Sequence, residues 1–226
     1  MQYKTIKVRK IYVFAAIFFV IVAVTVFMIQ RTFTEYMAGS PDPITDYSDM
    51  ELIQLEPPPE NATTVSITTS AGKMTMVLYE AQAPNACTLF TSTAANGGYN
   101  GLSAQLYEMG SVFTLDAPYL KNAYPIELHK NLWPFKGAVC MTSEGDLVFV
   151  NTVEFSEEER EYLTSESEAL PEVRAAFLNH GGVPNFAGQY AVFGQITEGM
   201  EVLEAIAESP ADTVITVESI AVIPNE

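Results

Sequence analysis

Few residues in this chain carry strong chemistry by type and spacing. Cys87 and Cys140 are its two cysteines and His129 and His180 its two histidines. None forms a CxxC pair or stands at metal-ligand spacing from another, so no metal site is predicted. The distance that a disulfide requires is not legible in sequence. Cys87 falls in a helical pattern and Cys140 in a strand pattern, so two separate buried thiols are expected. No nucleophile–base pair, phosphate loop or nucleotide fingerprint is present, and no cofactor is predicted. What chemistry there is must come from apolar and aromatic surfaces, so the elements that position them come next.

The most regular stretch is residues 189–208, QYAVFGQITEGMEVLEAIAE. Its apolar run Tyr190-Ala191-Val192-Phe193 suits a buried strand, and Gly194 marks a close approach of a neighbour. Thr197 is placed to cap a helix whose positions Met200, Val202, Leu203 and Ile206 share one face. Earlier, Val65 and Ile67 alternate with polar neighbours, Ala71-Gly72 turns, and residues 73–79 alternate again, which predicts a hairpin. Pro84 then opens a helix ended by Gly97-Gly98. Short strands are predicted at 103–107, 112–115, 138–142, 147–151 and 213–223.

The wording of these pieces is more specific than their pattern. "GQYAVFGQITEGMEV" resembles the G-x-[HY]-x-V-F-G-x-V-x-x-G-M-x-V run of cyclophilins, the peptidyl-prolyl cis-trans isomerases. "TTSAGKMTMVLYEAQAPNACTLF" resembles the same family's opening hairpin and first helix. The resemblance implies a mainly β fold, a closed eight-stranded barrel capped by two helices, over residues 64–226. Residues 154–183 form a helical insert. There Ser156-Glu157-Glu158-Glu159 reads as a capping box, and Pro171 opens a second helix before Gly181-Gly182. An acidic insert followed by HGGVP is similar to cyclophilins of Gram-positive bacteria. By loop entropy alone the insert reads as removable.

Isomerising an X-Pro bond must overcome a resonance barrier of ~18–20 kcal/mol. The resemblance implies that an arginine in an F-H-R-[VI] strand donates toward the prolyl nitrogen, and a glutamine in the next strand holds the peptide backbone. At those positions this chain has Leu106 and Thr114. Its implied groove residues are Ser111, Val112, Thr142, Ser143, Leu147, Phe149, Phe186 and Tyr190, with Asn185 where an aromatic or histidine usually stands. Leu106 is expected to face the groove beside Phe149 and Thr114, and Phe149 reads equally as pocket wall and as core. Leucine donates no hydrogen bond. The implied partner is therefore a proline-containing or extended peptide segment, turned over weakly, or else only bound in a silent binding or scaffold role.

Residues 11–30 are twenty positions without a charge, between Lys10 and Arg31, and match a bilayer's hydrocarbon thickness. No small-x-small cleavage site or lipobox cysteine follows, so an uncleaved, single-pass signal anchor is expected in the cell membrane. Lys4, Lys7, Arg9 and Lys10 place residues 1–10 in the cytoplasm and the remainder outside. Residues 31–63, with Pro41, Pro43 and Pro57-Pro58-Pro59, read as an extended acidic spacer. Asn61-Ala62-Thr63 fits a glycosylation sequon, which matters only in a glycosylating host. Beyond Arg31, six of the 11 basic residues face all 28 acidic ones, a net charge of −22. That charge excludes nucleic acid as a partner. Nothing in the sequence specifies an oligomeric state.

Overall fold

The structure is a computed structural model that describes residues 22, 25, 26, 28, 41–106, 112–117, 125–151, 155–164, 170–210 and 212–223. It divides into two units, Met1–Ser40 and Pro41–Glu226. In the first, Val22, Thr25, Val26 and Met28 are helical and exposed. The expected membrane span otherwise lies outside the described residues, among which no helix is long and apolar enough to cross a membrane.

Among its described residues the second unit is built on eight antiparallel strands: β1 (Thr64–Thr69), β2 (Gly72–Leu78), β3 (Gln105–Leu106), β4 (Val112–Leu115), β5 (Ala138–Met141), β6 (Leu147–Val150), β7 (Ala191–Glu198) and β8 (Val217–Ile223). They form one sheet in the order β3-β4-β6-β5-β7-β2-β1-β8. The ladders make a half-barrel. Among the described residues its two ends meet through one bridge, Ser103 with Thr216, rather than through a ladder between β3 and β8. Main-chain bonds from Gly101 N to Val217 O, Val217 N to Leu102 O and Ala104 N to Ile215 O, each 2.8 Å, flank that bridge.

Alternation explains the inner face. Val65, Ile67, Met74 and Met76 are buried while Ser66 and Thr75 are half-buried, as period-2 side chains on a one-sided sheet must be. At Gly194 an added Cβ would lie 3.1 Å from the Val77 carbonyl and 3.2 Å from the Met76 methyl, which accounts for the glycine. Helix α1 (Pro84–Ala95) buries Phe90 against Tyr99 and Phe193, with ring centroids 5.6 and 5.2 Å apart. Its N-terminus has no local side-chain cap. Instead the Glu127 carboxylate accepts from the main-chain N–H groups of Asn85 and Ala86, at 2.9 and 3.0 Å. A carboxylate at orphan N–H groups also complements the helix dipole.

The insert carries α2 (Glu157–Thr164) and α3 (Pro171–His180). The capping box forms: Ser156 N and Oγ donate to Glu159 Oε2, both at 2.9 Å, and Glu159 N donates to Ser156 Oγ at 3.2 Å. Helix α3 of the insert is packed rather than solvated, however. Val173, Ala176 and Phe177 of α3 build a second core with Phe135, whose ring lies 4.7 Å from that of Phe177. Helix α4 (Met200–Ala207) buries Leu203 and Ile206 as its periodicity requires. Its cap differs from expectation: Gly199, at φ 79°, takes the N-cap position. Thr197 belongs to β7 and donates to the Thr75 carbonyl at 3.3 Å.

Residues 41–56 also depart from the expected extended spacer. Tyr47 stacks on Trp133 with centroids 6.2 Å apart, and Met50 and Leu52 pack on the second core. Gln54 is buried. Its carbonyl accepts from Trp133 N at 2.6 Å, and its amide donates to Gln195 Oε1 at 3.0 Å. Buried amides that satisfy each other fix geometry strongly, so this segment is a strap on the domain.

Candidate functional site

The placement of the candidate groove residues is decided by strand register. Leu106 pairs with Phe113, and Phe113 with Phe149; Gln105 pairs with Thr114, and Thr114 with Val148. Directly opposed residues share a face. Leu106, Phe113 and Phe149 therefore lie on one side of the sheet and Gln105, Thr114 and Val148 on the other. Phe113 and Phe149 are 1% and 0% exposed and stack at 4.5 Å with their planes 7° apart. This is the core side, and Leu106, half-buried, packs there. Leu147 is fully buried on the same side as Phe149, paired with Leu115 and Met141.

Leu106, Phe149 and Thr114 consequently do not line one groove. With a side-chain period of two, a one-residue offset in register moves a strand's set to the opposite face. Phe113, passed over between Val112 and Thr114, is the aromatic that Phe149 meets. The matching alternation of VFTL and LVFV was the available signal. Val112 pairs with Val150 through its main chain; its side chain and Ser111 lie outside the described residues.

On the outer side the polar groups bind one another. Gln105 donates through its amide to Asp116 Oδ2 at 2.6 Å. Thr142 closes the β5–β6 turn: its hydroxyl accepts from Asp146 N at 3.1 Å, and its own N–H donates to the Asp146 carbonyl at 3.0 Å. Asp146 Oδ1 then accepts from Ala117 N at 2.6 Å, tying that turn to the end of β4. Ser143, beside it, donates to Glu144. Beyond Arg31 the chain's arginines are Arg160, on α2, and Arg174, on α3. Neither belongs to the sheet.

Phe186 and Tyr190 are brought together as a pair. A 3-10 turn, Pro184–Phe186, lets Gln189 N donate to the Phe186 carbonyl at 3.1 Å and sets the two rings edge to face, 4.9 Å apart. Asn185 is exposed beside them. Tyr190 opens on a cleft of about 250 Å³ lined also by Val192, Leu128, His129, Leu132, Trp133 and Pro134, with Pro41, Pro43, Ile44 and Tyr47 of the strap along one edge. His129 Nδ1 accepts from Asn131 N at 3.2 Å, which leaves Nε2 to carry the proton of the neutral ring. Burial and then the Lys130 charge hold the His129 pKa below the usual histidine value. His129, Trp133 and Tyr47 escaped sequence reasoning because no spacing relates them to Tyr190.

The thiols lie elsewhere. Cys87 and Cys140 are buried and free. Burial first, and the Glu80 charge second, push the Cys87 thiol up to about 12, and burial pushes Cys140 up as well. Neither is disposed to act as a nucleophile.

Comparison with known proteins agrees with this architecture. Residues 165–223 match the family model of cyclophilin type peptidyl-prolyl cis-trans isomerase/CLD. The chain is 29% identical over 157 residues to peptidyl-prolyl cis-trans isomerase cyp18 of Streptomyces antibioticus, which covers 63% of this chain and 82% of that protein. The crystal structure of a Cryptosporidium parvum cyclophilin type isomerase superposes with a TM-score of 0.55 at 17% identity, over 73% of this chain and 99% of that one. A second structure of that protein, in the presence of the dipeptide Ala-Pro, gives 0.53 over 72% and 99%, also at 17% identity. Over residues 165–223 by family model, and over 63% of its length by the curated relative, this chain is similar to cyclophilin-type peptidyl-prolyl cis-trans isomerases, and its fold is theirs.

Proposed function

We propose that this protein is a membrane-anchored, extracytoplasmic cyclophilin-like protein that holds proline-containing or extended segments of exported proteins and isomerises them slowly. The observation that carries the slow rate is the face on which Leu106 lies. The residue at the family's arginine position packs on the core side with Phe113, and its outward neighbour, Gln105, has its amide engaged by Asp116. Loss of one preorganised donor typically costs ~10²–10³ in rate. Thr114, half-buried on the outer side, offers a hydroxyl in place of a glutamine amide.

A second reading, binding without turnover, is favoured by the aromatic cleft beside Tyr190. Its apolar walls and one imidazole suit a pyrrolidine ring without supplying a charge at the prolyl nitrogen. Exchange spectroscopy by NMR on an Ala-Pro peptide with the chain from Pro41 onward separates the readings. Cross-peaks between cis and trans forms above the uncatalysed rate mean isomerisation, and line broadening alone means binding. A rate equal to that of ordinary cyclophilins overturns the degenerate-site reading.

The anchoring part of the proposal rests on the uncharged run 11–30 and the four basic residues before it. Protease added outside intact cells is expected to digest the domain, and the intact chain to sediment with membranes. A soluble product cut after residue 31 contradicts it.

A further inference from the structure

A second cleft, of about 450 Å³, lies between the end of the strap and the end of β2. It falls within the ~300–1,000 Å³ usual for ligand pockets, which the cleft beside Tyr190 does not reach. Its floor is apolar: Ile53 and Pro57 on the strap side face Val77, Leu78 and Tyr79 on the other. Burial alone pushes the Tyr79 phenol up to about 12, so that floor stays neutral across the physiological range.

The rim carries Glu51, Glu56 and Glu80, all exposed, and among the described residues no Lys, Arg or His lines the cleft. Thr63 Oγ1 donates to Glu80 Oε1 at 3.1 Å. Among the described residues none of the three carboxylates is in a salt bridge. The contrast is with Glu204, whose charge is met by Lys136. An apolar trough ringed by carboxylates that meet no cation among the described residues has the complement of a long cationic side chain, whose methylene stem covers apolar surface while its head stays at the wet rim.

We propose that this cleft binds a cationic, apolar segment of a partner polypeptide, seating a lysine or arginine stem over Tyr79 and Pro57 with the charged head among Glu51, Glu56 and Glu80. The site shares no lining residue with the cleft beside Tyr190, so it requires neither a proline in the ligand nor isomerase activity. The net charge of −22 beyond Arg31 draws such segments toward the domain, and the cleft provides the apolar contact that a diffuse field lacks.

The test uses the full-length chain in nonionic detergent and a fluorescein-labelled peptide of alternating lysine and leucine, without proline, read by fluorescence anisotropy. The parent protein is expected to bind it. Exposed ion pairs are each worth up to about fivefold in affinity, so Glu56→Gln with Glu80→Gln is expected to weaken binding about tenfold. The same peptide with acetylated lysines is expected to lose a similar factor. Both glutamates are exposed, so the double variant keeps its fold, which its near-ultraviolet circular dichroism verifies. Glu157→Gln with Glu158→Gln, on α2, controls for the general field and is expected to leave affinity within about twofold. The proposal is overturned if the α2 variant loses as much as the cleft variant, if the cleft variant binds as the parent does, or if the parent shows no binding at about 1 mM peptide.

Discussion

Phe113 and Phe149 stack nearly parallel, 4.5 Å between centroids, at directly opposed positions of β4 and β6. This contact sets which face of the sheet is core, and through it the orientation of Leu106 one strand away. It has a direct experimental consequence.

Leu106→Arg is expected to destabilise the protein by about 1–3 kcal/mol, because a guanidinium would be directed at the core side without a partner. It is not expected to raise turnover on an Ala-Pro peptide. Urea unfolding and exchange spectroscopy on the same variant check both parts. A rise in rate with unchanged stability would place the side chain in the groove instead.

Glu127 caps α1 from 42 residues away in sequence. Glu127→Ala removes the acceptor for two main-chain N–H groups, and a loss of about 1–2 kcal/mol is expected. Glu127→Gln keeps one carbonyl acceptor and is expected to fall between the two. Unfolding midpoints at unchanged m-value read the series.

Phe177→Ala opens a cavity in the second core, beside Phe135, and is expected to cost about 3–5 kcal/mol. Neutralising Glu157 and Glu158, exposed on α2, is expected to change stability by less than about 0.5 kcal/mol. Thermal or urea denaturation of the two variants distinguishes a packed helix from a solvated one. Equal, small effects would restore the view of the insert as an appendage.

His129 has a folded-state pKa below its ordinary value, with burial the main cause. The unfolded chain then binds more protons than the folded one as pH falls below the ordinary value. This residue's contribution to stability is accordingly complete above the unfolded pKa and declines as pH drops toward the folded one. Replacement by Asn is expected to flatten that slope. Proton NMR titration of the His129 ring should show a midpoint below about 6.5; a midpoint above it contradicts the buried, neutral ring.

Much of the architecture was legible because it rests on short-range physics. Alternation at Val65, Ile67, Met74 and Met76 marked the first hairpin, and Pro84 and Pro171 marked helix starts. Ser156 with Glu159 marked a cap, and Leu203 with Ile206 a buried helix face. Each signal is complete within a few residues, so no tertiary knowledge is needed to read it. Of the candidate site, the resemblance named Phe186 and Tyr190 as separate groove residues, and their edge-to-face contact came from the structure.

What the tertiary structure alone decided involves partners far apart in the chain. Gln54 bonds to Gln195 across 141 residues and Glu51 N to Asn131 across 80, which turns an apparent spacer into a strap. β7 continues through Glu198 because it pairs with Thr75, so the helix cap moves from Thr197 to Gly199. The opposition of Phe113 to Phe149 places Leu106 and Thr114 on opposite faces. Composition around a strand shows that it alternates, but which of its two faces is buried depends on the register of its neighbours. One residue of register reverses the answer, and only the assembled sheet sets it.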